Sequence, residues 1–152
     1  MTDQLGTIER QITIDAPAAR VWELVAEPGW YINDSRITEH RIERNGDFTV
    51  VHDPVHGAFT FRTVTLDEPK YAAFRWLSDH TDPGSPSTLV EFRLDAVSDT
   101  STVLSVTETG FDSLPGDAVE RRAKYEGNVE GWIIELDLAK AHLEKGKTVA
   151  AH

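Results

Sequence analysis

The last quarter of this chain constrains its fold more than any other part. From about Leu114 to Gly146, the apolar residues Ala118, Tyr125, Val129, Trp132, Leu136, Ala139 and Leu143 recur at spacings built from three and four. That spacing lines one stripe of an amphipathic helix. At ~1.5 Å per residue such a helix is roughly 45 Å long. The preceding segments alternate apolar and polar residues, as half-buried strands do. A flat sheet of about six or seven strands, spaced ~4.8 Å apart, is only about 30 Å wide. It covers the stripe only by curling around it lengthwise. A curled sheet and a straight helix meet more easily at the ends than in the middle, which predicts an internal cavity and therefore a ligand.

The earlier segments read in order. Thr7 to Asp15 alternates Ile8, Ile12 and Ile14 with polar residues, and Arg10 interrupts the apolar face as an edge strand allows. Asp15-Ala16-Pro17 then opens a short helix, with Asp15 or Ala16 as its cap and Pro17 in its first turn. Ala18, Val21, Trp22 and Val25 form its buried face. Pro28-Gly29 stops it, and Trp30, Tyr31 and Ile32 make a second short helical turn. Strands over Ile37–Arg44 and Asp47–His52 flank Asn45-Gly46, a strong hairpin signal. Strands over Ala58–Leu66, Tyr71–Leu77, Thr88–Val97 and Thr102–Gly110 follow, and short connections make successive strands antiparallel. Asp117 with Glu120 forms a capping box for the long helix, Lys145-Gly146 ends it, and the last six residues fray. The whole reads as one α+β domain over residues 1–152: an antiparallel sheet of about seven strands curled around a long C-terminal helix, with two short helices after the first strand.

Several residues carry a resemblance to a known family. Ile14-Asp15-Ala16-Pro17-Ala18-Ala19-Arg20-Val21-Trp22 stands at the front, and Glu68-Pro69 precedes Phe74-Arg75-Trp76. Thr107-Glu108-Thr109-Gly110-Phe111 leads into the last helix, which contains Gly131-Trp132. With the order of elements, they resemble the START-like, helix-grip superfamily (SRPBCC proteins, which share the birch-pollen-allergen fold). Within it they resemble the family related to the activator of the ninety-kilodalton heat-shock chaperone's ATPase. The resemblance covers residues from about 8 to 143. It implies the helix-grip fold and a family that includes chaperone activators, lipid carriers and cyclases, so fold does not settle function.

Composition narrows the field. The formal charge of −11 leaves no basic stripe to neutralise phosphates and argues against nucleic acid and anionic membrane surfaces. The chain has no cysteine, so a disulfide framework, a thiolate metal site and a cysteine nucleophile are excluded. No apolar run reaches the ~18 residues of a membrane span, and Met1 to Gln11 lacks the features of a signal peptide. These readings predict a cytoplasmic protein. His52 and His56 have a spacing that chelates metal on a helix, but Pro54 lies between them, so no metal is expected. No GxSxG, HExxH, Walker or Rossmann pattern is present, and no catalytic residue or cofactor is assigned. The Gly127–Gly131 spacing reads as close helix packing.

Strand parity gives the inner face. Phe74 and Trp76 oppose Arg75; Val90, Phe92 and Leu94 oppose Glu91 and Arg93; Leu104, Val106 and Glu108 oppose Ser105, Thr107 and Thr109. Phe74, Trp76 and Phe92, joined by Trp30, Phe59, Phe61, Tyr125 and Trp132, either pack on the helix as core or wall a pocket for a flat or greasy ligand. Glu108 is the acidic exception on this face, and Arg122 is the basic exception on the helix stripe. Either they pair at one end of the cavity and anchor a polar ligand group, or both sit solvated at the open end. The preferred function is a small-molecule binding protein for a hydrophobic or aromatic ligand. The alternatives are a chaperone ATPase-activator-like module with a protein partner, or a cyclase- or hydrolase-type enzyme using the cavity. The resemblance bears on the first alternative, because eukaryotic-type activators carry an additional N-terminal domain whereas this chain begins at the grip domain.

Overall fold

A computed structural model describes residues 6–33 and 36–150, with the side chains of 146–150 outside the description. The elements are β1 (Ile8–Ile14), α1 (Ala18–Val25), β2 (Arg41–Asn45), β3 (Phe48–Asp53), β4 (Gly57–Asp67), β5 (Tyr71–Leu77), β6 (Ser87–Ser98), β7 (Ser101–Thr109), a 3₁₀ turn (Phe111–Ser113) and α2 (Ala118–Ala150). The seven strands form one antiparallel sheet in the order β1-β7-β6-β5-β4-β3-β2. This is the α+β helix-grip arrangement. β1 is an edge strand, which leaves Arg10 exposed between buried Ile8 and Ile14.

At its start α2 is held by the expected reciprocal cap. The Glu120 N–H donates to Asp117 Oδ1 at 2.8 Å, and the Asp117 N–H donates to Glu120 Oε1 at 3.0 Å. Trp132, Leu136, Ala139 and Leu143 are buried, but Ala118, in the first turn, is exposed. The helix does not end at Gly146. It continues to Ala150, spanning 33 residues or about 50 Å; of the tail expected to fray, 151–152 lie outside the described residues. The Gly127 and Gly131 positions are not close-packed either, since a Cβ at either would meet nothing within 4 Å.

α1 is capped by Pro17 rather than Asp15 or Ala16, without a side-chain bond. The Asp15 N–H instead donates to Glu144 on α2 at 2.7 Å, and Arg20 Nε donates to the Leu143 carbonyl at 3.0 Å. These contacts fasten the front of the chain to the distal half of α2. After α1, residues 27–32 form overlapping hydrogen-bonded turns. Gly29 is required there: its φ is +76°, and a Cβ would lie 2.9 Å from Val51 and 3.0 Å from Phe61. Residues 37–40, expected to begin β2, are irregular. The Thr38 N–H goes to Asn33 Oδ1 at 2.9 Å and the His40 ring bonds Asp53 at 2.8 Å, so side chains replace the ladder.

Candidate ligand-binding site

The interior of the grip is filled. Trp30, Phe61, Phe74 and Phe92 are each 1% exposed or less. Tyr31, delivered by the turn after Gly29, wedges among the rings at centroid distances of 5.7 Å from Phe61, 5.3 Å from Trp76, 5.7 Å from Phe92 and 4.8 Å from Trp132. Such tilted and edge-on pairs add to the area they bury. Four of the expected pocket residues, Trp30, Phe61, Phe74 and Phe92, therefore belong to the core.

Glu108 is the polar centre of this core, and it is fully buried. Thr88 Oγ1 donates to its Oε2 at 2.6 Å, and Trp132 Nε1 and Asn128 Nδ2 donate to its Oε1 at 2.8 and 3.0 Å. Asn128 and Trp132 stand four residues apart on α2, which puts them on one face. Thr88 lies on the inward parity of β6, diagonal to Glu108 across the β6–β7 ladder. Burial raises the Glu108 pKa above the ordinary carboxylate range; the three donors and the charge of Lys124 oppose that rise without cancelling it. The Tyr31 hydroxyl is buried without a hydrogen-bond partner, and burial plus the nearby Glu108 charge pushes its pKa well above the usual phenol value. Arg122 is not part of this centre. It is exposed on α2, makes no ion pair with Glu108, and stands two residues before Lys124, about 200° around the helix from the Lys124–Asn128–Trp132 row.

Free space lies at the open end of the grip rather than inside it. A cleft of about 280 Å³ runs between the start of α2 and the β4–β5 side of the sheet, with Phe59, Trp76, Leu77 and Leu114 as apolar walls, Thr88 at depth, and Glu120, Arg121 and Lys124 along the rim. A smaller cleft of about 100 Å³ lies on the far side of Trp76, bounded by Tyr31, Asn128, Gly131, Trp132 and Glu135. Phe59, Trp76 and Trp132 of the expected set therefore reach free space, whereas Tyr125 turns away to pack edge-on against Phe111 at 5.3 Å. Two broader depressions, of about 390 and 540 Å³, share Arg93 and have no α2 residue in their walls.

The residues that sequence reasoning missed are Tyr31, Thr88, Lys124, Asn128 and Glu135. Two signals were available: Thr88 shares the parity of Val90, and Lys124 and Asn128 precede Trp132 by eight and four positions. Three of the six histidines have structural partners. His40 is buried against Asp53, and His52 pairs with Glu43 at 2.7 Å. The ring of His56 donates to the Asn33 carbonyl at 3.1 Å. Burial opposes the charged form of Asp53, but the N–H groups of His56 and Val55 and the His40 ring outweigh it and hold its pKa below the ordinary value. Among the described residues, no group of three or more His, Asp or Glu side chains is placed to hold a metal, and no helix is long and apolar enough to cross a membrane.

Glu135 carries a pH dependence. Its Oε1 accepts from Asn33 Nδ2 at 2.7 Å, which ties α2 to the loop after the Trp30-Tyr31 turn. Burial raises its pKa from 4.5 to about 7, against the Asn33 hydrogen bond and the His56 charge. A folded pKa above the unfolded one means that the fold binds the extra proton. The associated stability is fully present below about pH 4.5 and is lost as pH rises through about 7. The carboxyl is partly open to water, so about 1 kcal/mol of this survives screening. Glu135→Gln is expected to match wild type near pH 4.5 and to exceed it by about that amount at pH 7.5. Urea unfolding at both pH values checks this, and an unchanged wild-type slope in the variant would contradict it.

The profile of the family described as "Activator of Hsp90 ATPase homolog 1-like protein" matches residues 15–144. The chain belongs to the AHSA1-like family. A comparison with curated proteins found no match. Among solved structures, this AHSA1-like chain is similar to protein MLL2253 from Mesorhizobium loti (17% identity, TM-score 0.69, covering 92% of this chain and 98% of that one). It is also similar to the Zhui aromatase/cyclase from Streptomyces sp. R1128 (25% identity, TM-score 0.64, 92% and 94% covered). A third is the Aha1 dimer from Colwellia psychrerythraea (18% identity, TM-score 0.65, 94% and 99% covered). The likenesses below 25% identity establish the AHSA1-like fold and not a shared activity.

Proposed function

We propose that this AHSA1-like chain binds a small apolar or flat aromatic molecule in the cleft between the start of α2 and the β4–β5 side of the sheet. The observation that carries this reading is the aromatic-walled cleft of about 280 Å³ beside a core that is otherwise packed. Its size lies just under the usual range for small-molecule sites, which points to a ligand of one or two rings. Glu108 supports the reading from below: it fixes Thr88 at the cleft floor and Asn128 and Trp132 on α2, but it is itself buried. That is a positioning role rather than contact with a bound molecule.

Of the four tryptophans, Trp22, Trp30 and Trp132 are at most 6% exposed, while Trp76 is half-buried in the cleft wall. Tryptophan emission should therefore change when an apolar aromatic probe enters. Trp76→Ala is expected to weaken probe binding by at least about tenfold, as loss of a buried aromatic anchor does. Unchanged affinity in that variant would place the probe elsewhere.

A second reading, a protein-interaction module, draws on the family description and on one surface feature: Ile133 and Ile134 on α2 are 49% and 54% exposed. Stimulation of an Hsp90-type ATPase by the purified chain, lost in an Ile133→Ser/Ile134→Ser variant, would favour it.

A further inference from the structure

We propose that the ligand of the cleft of about 280 Å³ is an apolar monocarboxylate, with its ring or short chain against Trp76 and Phe59 and its acid group taken by Lys124. This inference rests on the binding reading above and adds the chemical class of the ligand. The chain has 26 acidic residues against 15 basic ones, yet two of the three charged side chains on the cleft rim are cations, Arg121 and Lys124. The three are not equally available. Glu120 accepts the Asp117 N–H through Oε1 and is committed to the helix cap. Arg121 is held by the carbonyls of Leu114 and Gly116. Lys124 has no carboxylate within ion-pair distance among the described residues; its Nζ lies over the Trp76 ring, 5.1 Å from the centroid.

Glu108, an acid that feels the charge of Lys124, is buried and already takes hydrogen bonds from Thr88, Asn128 and Trp132. The ammonium on its flexible four-carbon stem is thus free to turn from the ring face to an incoming anion, while the aromatic wall receives the apolar part. A cationic ligand would meet Lys124 and Arg121 as like charges, and a neutral one would leave the ammonium unused.

The test uses three probes of nearly one shape, 1-naphthoate, 1-naphthamide and (1-naphthyl)methylammonium, titrated calorimetrically into the full chain at pH 7.5 and 0.15 M salt. 1-Naphthoate should bind at least about tenfold more tightly than the amide, with the ammonium weakest. In Lys124→Met the advantage of the acid should fall below about threefold while the amide binds as before, and Lys124→Arg should retain most of the preference. Lys124 is exposed, so these variants leave the core untouched. Equal binding of acid and amide to the wild type would overturn the acid class while leaving the binding reading standing. A preference that persists in Lys124→Met would remove Lys124 as its source, and no binding by any of the three would overturn both readings.

Discussion

Replacing Phe92 by alanine should cost about 3–5 kcal/mol of folding stability. Phe92 has no exposed surface and touches four other rings, with centroids 5.4 Å from Trp30, 5.7 Å from Tyr31, 6.3 Å from Phe74 and 5.8 Å from Trp132. Its removal leaves a void that the surrounding rings, each fixed by its own neighbours, fill only in part. In a chain of this length such a loss lowers the melting temperature by roughly 10 °C or more. The experiment also distinguishes two architectures. If Phe92 lined an internal cavity, truncation would cost well under ~2 kcal/mol, because one side of the ring would already lack partners. Urea unfolding of the wild type and Phe92→Ala gives the difference directly.

The second large effect is expected at Glu108. Glu108→Leu removes the acceptor of three donors and leaves the buried indole N–H of Trp132 with no partner. Orphaning a buried donor costs ~1–3 kcal/mol, and the other lost bonds add to it, for a total of about 2–4 kcal/mol. Burial of the carboxylate is itself unfavourable, as its raised pKa shows, and this keeps the estimate below a simple sum. Glu108→Leu and Trp132→Phe should be strongly non-additive, since the second change removes the donor that the first orphans. Glu108→Leu and Arg122→Leu should add within ~0.5 kcal/mol, because the two side chains do not interact. Strong coupling to Arg122 would overturn the arrangement described for this centre.

The contrast between Trp132 and Arg122 shows how far residue spacing carries an argument. Trp132 sits on the α2 stripe and is buried as the spacing requires. Arg122 stands between Ala118 and Tyr125 on that stripe, but the start of α2 borders an open cleft instead of packing on the sheet, and Ala118 and Arg122 are both exposed. A periodic pattern gives the direction of a side chain around the helix axis; it does not say where along the axis the partner surface begins. Tyr125 shows the same limit. It lies on the stripe, but the stripe there meets Phe111 from the 3₁₀ turn instead of the sheet.

Strand parity was more secure, because a strand shifted by one residue would turn its whole apolar set to solvent. It placed Phe74, Trp76, Val90, Phe92, Leu94, Leu104, Val106 and Glu108 on the inner face, where all are buried except Trp76, which is half-buried in the cleft wall. Parity could not reveal that the grip is filled. That depends on a turn, not a strand: Gly29, pressed against Val51 and Phe61, delivers Trp30 and Tyr31 into the space that the curled sheet would otherwise leave empty.

By itself, then, the sequence determined the order of elements, the antiparallel pairing, the reciprocal cap of α2 and the acid on the inner face, because each follows from local spacing, turn length or the two-residue repeat of a strand. Tertiary structure alone decided which acceptor meets which donor and where space remains. Glu108 found Thr88, Asn128 and Trp132, and the opening moved to the Trp76 end of the sheet, because those outcomes depend on how segments distant in sequence pack against one another.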